Sequence, residues 1–285
     1  MRMRNILRNL QVTALALIGI TAATAANAQA RLEARMLVVT EVIEEQQQQI
    51  DQRIPQYLLQ RAYGIAVFPG VDKIAFVLGG RRGSGVMSVR DDAGQFTNPV
   101  FVTLTGGGVG WQAGYQKSDV VLVFTTRKGV EQFNSGTVTL GGNASVAAGP
   151  LGRAGEAAIS NSAEVFSYSR NKGLFAGVSL DGTALSVNHR ENRLFYKQSE
   201  VDPEDIISGR VNRNDLDSVR RFLAALTSAA GGSAPSGASR AEGDNANGST
   251  LTPEEMAARP PEASSSEGVR TFPMEDRSPG AEPGP

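Results

Sequence analysis

The sequence predicts an α+β domain built on a curved, mainly antiparallel, barrel-like sheet that is rich in glycine and flanked by helices. Between residues 62 and 196 the apolar runs are short and interrupted by glycines, which suits strands better than helices. The connections between these runs are too short for parallel crossovers. Amphipathic helical patterns lie on either side of the block, and a polar segment rich in proline follows.

The N-terminal residues have the pattern of a secretory signal peptide. Three arginines within the first eight residues precede an apolar run from Leu10 to Ile20, and Ala26-Asn27-Ala28 fits a small-x-small cleavage site. The apolar run is too short to span about 30 Å of hydrocarbon, which argues against the alternative of a membrane anchor. We expect residues 1–28 to be removed and the protein to be exported to the periplasm, where it would be at most peripheral to a membrane.

Two helices are predicted before the sheet. From Arg31 to Gln49, apolar residues recur at spacings of three, four and seven, and most of the other positions are Glu or Gln. We expect this helix to pack on the sheet. Pro55 suits the first turn of a second helix that ends at Arg61.

The strands are predicted from the apolar runs themselves. Val120–Phe124 is apolar at every position, so we expect it to be covered on both faces. Asp91–Gly94 is predicted as a hairpin turn, and Thr126–Phe133 as a short helix. The predicted strands are Ile65–Phe68, Ile74–Leu78, Gly85–Arg90, Val100–Thr105, Gly110–Tyr115, Val120–Thr125, Gly136–Leu140, Ser145–Ala148, Val165–Tyr168, Leu174–Ser179 and Ala184–Asn188.

The C-terminal part divides into a helix and a polar tail. Asn214 is predicted to cap a helix that continues to Ala229. Residues 231–285 hold eight of the thirteen prolines and a net charge of −5, so we expect this tail to be disordered. The folded domain is therefore expected over residues 29–230, with its core at 55–198.

The composition removes several kinds of catalytic site. With no cysteine and a single histidine, the chain has no disulfide, no thiolate nucleophile and no multi-histidine metal site. His189 falls in a predicted turn after a strand, and we interpret it as a surface residue. No serine lies in G-x-S-x-G, and pairs of carboxylates have no positive support as a catalytic pair.

The glycine-rich stretches 79–85 and 106–110 resemble phosphate loops only superficially. Neither carries G-K-[ST], and neither clearly opens a long helix whose N-terminus would hold phosphate. Tight packing in the sheet explains them better. We therefore expect no enzyme, no metal and no cofactor, and a net charge of −1 gives no field for nucleic acid.

Nine basic residues of the block are candidates for contacts with anionic lipid. Several occur in pairs at predicted loops, where they would converge on one end of the sheet, and each contributes about 1 kcal/mol near an anionic membrane. Ordinary solubilising charge is the alternative, and the pattern alone favours it. The candidates are Lys73, Arg81, Arg82, Arg90, Arg127, Lys128, Arg153, Arg170 and Lys172.

An ordered set of motifs between Glu33 and Gln198 resembles the SYLF domain, a lipid-binding module. The motifs are Pro55-x-x-Leu58-Leu59, Ala62-x-Gly64-Ile65-Ala66-Val67-Phe68-Pro69-Gly70, Gly79-Gly80, Gly83-Ser84-Gly85-Val86, Asn98-Pro99-Val100-Phe101-Val102, Gly107-x-Val109-Gly110-Trp111-Gln112-Ala113-Gly114, Asp119-Val120-Val121-Leu122-Val123, Gly149-Pro150-x-Gly152-Arg153, Tyr168-Ser169-x-x-x-Gly173-Leu174-Phe175-Ala176-Gly177-Val178-Ser179-Leu180-x-Gly182 and Tyr196.

This resemblance implies phospholipid binding, with phosphoinositides as ligands, and no catalysis. It also implies actin binding in eukaryotic members, which we do not expect of an exported, bacterial-type protein. The family's lipid binding is tied to basic residues and an N-terminal amphipathic helix, but here that helix is acidic and rich in Gln beyond Arg31 and Arg35. We expect a non-enzymatic protein that binds phosphoinositide-like anionic head groups at a membrane surface. The alternative is a structural or interaction module of the cell envelope, with a protein partner there.

Overall fold

The computed structural model describes residues 27–48, 53–75, 78–109, 114–134, 136–151, 163–171 and 174–232. The predicted signal peptide up to residue 26 and the predicted tail from residue 233 lie outside the described residues.

A nine-stranded sheet forms the centre of the domain. Its strands are β1 (Gly64–Ala75), β2 (Leu78–Val89), β3 (Val100–Val109), β4 (Gly114–Phe124), β5 (Thr137–Leu140), β6 (Val146–Ala148), β7 (Val165–Asn171), β8 (Leu174–Gly177) and β9 (Thr183–Val187). Their order is β5-β9-β3-β2-β1-β4-β7-β6, and β8 pairs with β7 outside this order. All pairs of these strands are antiparallel except β6 with β7.

The two edges of this sheet meet at one short turn. Leu140 ends β5 and forms a bridge with Ala144, just before β6 begins. The amide of Gly141 also donates to the carbonyl of Ala144 at 2.7 Å. Because β5 and β6 end the strand order, this turn leaves the sheet a nearly closed barrel. The predicted curved, mainly antiparallel sheet is confirmed.

Two pairs of predicted strands are single long strands. The predicted strand at 65–68 and the first two residues of the predicted strand at 74–78 fall in β1. Leu78 instead begins β2, and residues 76 and 77 lie outside the described part, so the predicted strand at 74–78 is wrong at its C-terminal end. Pro69 and Gly70 do not end β1, because a β-bulge accommodates them. Gly70 takes a φ of +61°, which favours glycine. The predicted strands at 110–115 and 120–125 likewise merge into β4, with residues 110–113 outside the described part.

Six helices flank the sheet in the described part of the chain. They are α1 (27–48), α2 (Gln56–Arg61), α3 (Arg127–Asn134), α4 (His189–Tyr196), α5 (Pro203–Ile207) and α6 (Asp217–Ala229). The predicted packing of α1 is confirmed, since Met36, Val39 and Val42 are fully buried. The predicted hairpin turn also forms, with the amide of Gly94 donating to the carbonyl of Asp91 at 3.0 Å.

Two local predictions about these helices are wrong. His189 is exposed as expected, but it is the first residue of α4 rather than part of a turn. Asn188 caps that helix through its side-chain oxygen, which accepts from the amide of Glu191 at 3.1 Å. At α6 the N-cap is Leu216, not Asn214. Asn214 lies in the preceding turn, which closes where the amide of Leu216 donates to the carbonyl of Arg213 at 3.0 Å.

Close backbone packing explains several glycines of the block. A Cβ atom on Gly149 would lie 2.0 Å from Cζ of Tyr168, so the tyrosine ring lies against the glycine backbone. A Cβ atom on Gly177 would lie 2.3 Å from the carbonyl oxygen of Gly149. Only a hydrogen fits at these positions without displacing the neighbouring chain.

Candidate functional site

The four long strands β1 to β4 extend beyond the core at one end of the sheet. Their inner parts are buried on both faces, at 64–68, 85–89, 100–102 and 120–124. Their outer parts are exposed or half-buried on both faces, at 72–74, 79–82, 105–107 and 114–118. We call residues 72–74, 79–82, 105–107 and 114–118 the sheet tip. It presents two open faces to solvent.

Three predicted basic residues lie on the sheet tip, within strands rather than in loops. Lys73 on β1 is directly opposite Arg81 on β2, so both lie on one face. On the other face, Asp72 is opposite Arg82 on β2 and Lys117 on β4. The sequence-based prediction missed Lys117, because its position on this face depends on the register between β1 and β4.

The charge of the sheet tip is strongly positive. Its described residues hold four cations and one acid, Asp72. With the described residues, none of the four basic side chains forms an ion pair. Arg81 donates to the carbonyl of Ser179 at 3.5 Å, and burial lowers its pKa against the opposing effect of Asp181. Lys73, Arg82 and Lys117 are exposed, so these three side chains are available to an anionic ligand.

An apolar pair completes the sheet tip. Ile74 on β1 and Tyr115 on β4 are directly opposite each other, so they share a face. Their exposed fractions are 60% and 64%, large values for such side chains. The hydroxyl of Tyr115 donates to Oδ1 of Asp72 at 2.5 Å. Sequence reasoning missed this pair, because an apolar residue in a strand ordinarily faces the core.

The predicted candidate Arg170 is a structural residue. Its Nε donates to Oδ2 of Asp119 at 2.8 Å, and its guanidinium also contacts Glu45 of α1. Oδ1 of Asp119 accepts from the amide of Gly70 at 2.7 Å. These bonds fix the bulge of β1, from which the sheet tip extends.

Arg90 is likewise engaged by the fold. Its guanidinium donates to the carbonyls of Ala62 at 2.9 Å and Gly94 at 2.5 Å. It also lies over the ring of Phe96, 4.2 Å from the centroid. Arg90 thus ties the β2–β3 connection to the end of α2, and burial lowers its pKa.

The remaining described candidates lie at the opposite end of the sheet. Arg127 pairs with Asp92 at 2.8 Å, and Lys128 pairs with Glu164 at 3.1 Å. Nine residues of β1 separate Lys73 from that end, a distance of about 30 Å.

An open cavity of about 460 Å³ lies at this opposite end, between Arg61, Tyr63, Arg90 and Arg127. Asp91 and Asp92 also line it, so its charge is mixed. The seven candidates among the described residues therefore do not converge on one surface. Arg153 and Lys172 lie outside the described residues.

Other chemistry has little support in the described residues. The glycine-rich stretches 79–85 and 106–109 lie within β2 and β3, not before a helix N-terminus. Across the described ranges, no three His, Asp or Glu side chains are grouped to hold a metal ion. The helices that the structure describes include none long and apolar enough to cross a membrane.

Comparison with known proteins connects this domain to one family. A family model described as Ysc84, Las17-binding protein actin regulator, matches residues 105–229. Protein YSC84 of Saccharomyces cerevisiae is 44% identical over 166 residues, which cover 56% of this chain and 35% of that protein. LAS seventeen-binding protein 3 of the same species is 43% identical over 166 residues, covering 56% and 36%. SH3 domain-containing YSC84-like protein 1 of Homo sapiens is 39% identical over 166 residues, covering 57% and 48%.

The chain thus spans between 35% and 48% of the length of these relatives. The family description names a regulator of actin and no enzymatic reaction. The motifs quoted from the sequence and the two kinds of match agree. The resemblance of this domain to the Ysc84/SYLF domain family is therefore confirmed over residues 105–229.

Proposed function

We propose that this domain binds anionic phospholipid at a membrane surface and catalyses no reaction. The observation that carries the proposal is the concentration of Lys73, Arg81, Arg82 and Lys117 on an open, projecting sheet tip. Phosphoinositide-like head groups suit such a site. Arginine binds phosphate oxygens in pairs, and lysine attracts them as a point charge.

The charges are sufficient for useful binding. Each basic residue near an anionic surface contributes about 1 kcal/mol, so four contribute about 4 kcal/mol, or about a thousandfold in affinity. Salt screens such attraction over about 8 Å at physiological ionic strength. Binding should therefore be sensitive to salt.

Co-sedimentation with vesicles tests the proposal. The full chain should sediment with phosphatidylcholine vesicles that contain phosphatidylserine or a phosphoinositide, and rising salt should release it. Vesicles of phosphatidylcholine alone should leave it in solution. Equal and salt-insensitive binding to both kinds of vesicle would contradict the electrostatic basis of the proposal.

Export to the periplasm is part of the proposal, and it rests on the sequence of residues 1–28 alone. N-terminal sequencing of the protein from its native cells should begin at Gln29 or Arg31. An intact Met1 on the mature protein would count against export.

A protein partner is the second candidate function, because relatives carry names such as LAS seventeen-binding protein 3. Here an envelope protein would bind the sheet edges or the tail, and we do not expect actin. Pull-downs with the full chain and with a chain lacking residues 231–285 would locate the partner. Loss of every partner would assign binding to the tail. If the full chain co-sediments with purified actin filaments, our expectation that it does not bind actin is wrong.

A further inference from the structure

The sheet tip has a layered arrangement that charge alone does not explain. On one face, Ile74 and Tyr115 form its outer layer as a cross-strand pair. Arg82 and Lys117 lie on the same face, two positions nearer the core along their strands, and both are opposite Asp72. Two residues of a strand span about 7 Å. The apolar layer thus lies about 7 Å farther from the core than the basic layer, and this separation is close to the thickness of the phosphate region in one leaflet of a bilayer.

This order matches the outer part of a bilayer. An element bound at the membrane interface buries apolar side chains about 5–10 Å into the boundary between head groups and acyl chains. Basic residues about 7 Å behind them then meet the phosphates. Tyr115 suits the outer layer, because its hydroxyl is already bonded to Asp72 and its ring is apolar.

The backbone of the sheet tip allows shallow entry. Residues 72–74 of β1 pair on one side with 80–82 of β2 and on the other with 115–117 of β4, so the central backbone groups are satisfied. The outer edges are open in the described pairing, since β9 reaches only Gly106 and β7 only Asp119. Open edges need water, which confines the sheet tip to the interfacial zone.

The first helix is a poorer candidate for insertion. Leu37 on α1 has an exposed fraction of 46%, but the exposed Glu41 and Glu44 follow it at spacings of four and seven on the same stripe. Two carboxylates beside the apolar residue oppose an anionic surface.

We propose that the sheet tip inserts Ile74 and Tyr115 into the interfacial zone of an anionic bilayer, while Arg82 and Lys117 bind phosphates behind them. The inference rests on the proposed function and deepens it, because it names a rigid sheet end as the inserting element. Sheet geometry fixes the spacing between the two layers, so binding requires no folding of the inserted segment.

Site-specific fluorescence provides the first test. The chain has no cysteine, so Ile74→Cys can carry a single environment-sensitive NBD label, with Leu37→Cys as the matched control on α1. Vesicles of phosphatidylcholine with phosphatidylserine should shift the label at residue 74 to the blue and raise its intensity. The label at residue 37 should not respond, and neither label should respond to phosphatidylcholine alone.

Serine substitutions provide the second test on the full chain. Ile74→Ser and Tyr115→Ser should each weaken co-sedimentation with anionic vesicles by about tenfold, since each removes apolar area that the membrane buries. Leu37→Ser should leave binding unchanged. Circular dichroism should show all three variants folded, because the three side chains are largely exposed.

The outcomes separate the two proposals. If the protein sediments with anionic vesicles but the label at residue 74 stays silent, insertion is wrong and lipid binding stands. If the label at residue 37 responds to anionic vesicles and the label at residue 74 does not, insertion by the sheet tip is also wrong. The same holds if adding a soluble protein, with no lipid present, shifts the label at residue 74, because that site would then bind protein. If the protein does not sediment with anionic vesicles at all, both proposals fail.

Discussion

Replacing Gly85 with alanine should destabilise the protein, because β2 and β1 touch at this position. A Cβ atom on Gly85 would lie 2.3 Å from the carbonyl oxygen of Val67 and 2.5 Å from Cδ1 of Phe68. The first is backbone of the neighbouring strand, and the second belongs to a fully buried ring. Relief requires a local separation of β1 from β2. We expect the free energy of unfolding to fall by about 3 kcal/mol, as for severe overpacking.

Gly80 on the same strand provides the matched control. Among the described residues, the only atom within 4 Å of a Cβ there is the carbonyl oxygen of Gly106, at 3.8 Å. Alanine fits this position and restricts the unfolded chain, so stability should stay the same or rise by up to about 1 kcal/mol. The two variants should therefore differ by about 3–4 kcal/mol.

Urea unfolding followed by circular dichroism measures this difference, and thermal unfolding checks it. For a domain of this size the two melting temperatures should differ by about 10 °C. If Gly85→Ala unfolds within about 0.5 kcal/mol of the wild type, the close approach of β1 and β2 is wrong. The packing explanation of the glycine-rich stretch would then fail with it.

Three further changes test the roles of individual charges. Arg170→Ala leaves the carboxylate of Asp119 without its guanidinium partner, and it should lower the free energy of unfolding in urea by about 2 kcal/mol. A variant as stable as the wild type would exclude a structural role for Arg170. Asp72→Asn removes the acid of the described sheet tip and should tighten co-sedimentation with phosphatidylserine vesicles about fivefold, whereas unchanged binding would point away from the tip. The backbone amide of Ser145 and the ammonium of Lys128 lower the pKa of Glu164 below its ordinary value of 4.5. The ionised carboxylate therefore stabilises the fold above pH 4.5, and this stabilisation is lost as the pH falls through the lowered pKa. Glu164→Gln should therefore lower stability by about 1 kcal/mol near pH 7 and by almost nothing near pH 3, and an equal loss at both would contradict this.

Local patterns were sufficient to predict much of the fold. Val120–Phe124 is apolar throughout and is buried on both faces, as a strand in the middle of a covered sheet must be. The stripe that includes Met36 and Val39 identified the face of α1 that packs. In contrast, Pro69-Gly70 indicated an end of β1. Only the pairing on both sides of β1 shows that a bulge carries the strand past these residues.

The candidate site was less accessible to sequence reasoning. Arg90 and Arg170 cannot be told from surface arginines by pattern, because their partners are backbone carbonyls or a carboxylate distant in the chain. The grouping of Lys73 with Arg81 on one face, and of Arg82 with Lys117 on the other, depends on strand register that the sequence does not reveal. The pair of Ile74 and Tyr115 was missed because an apolar residue in a strand ordinarily faces the core.

A comparison of charge reversals at the two ends of the sheet tests the central claim most directly. Lys73→Glu with Arg82→Glu reverses two charges on the sheet tip, and Arg61→Glu with Arg127→Glu makes the same change in net charge beside the cavity at the other end. Affinity for phosphatidylserine vesicles should fall about a hundredfold or more for the first pair and change by less than about threefold for the second. Equal losses would mean that only net charge matters, and a larger loss for the second pair would place lipid at the opposite end of the sheet.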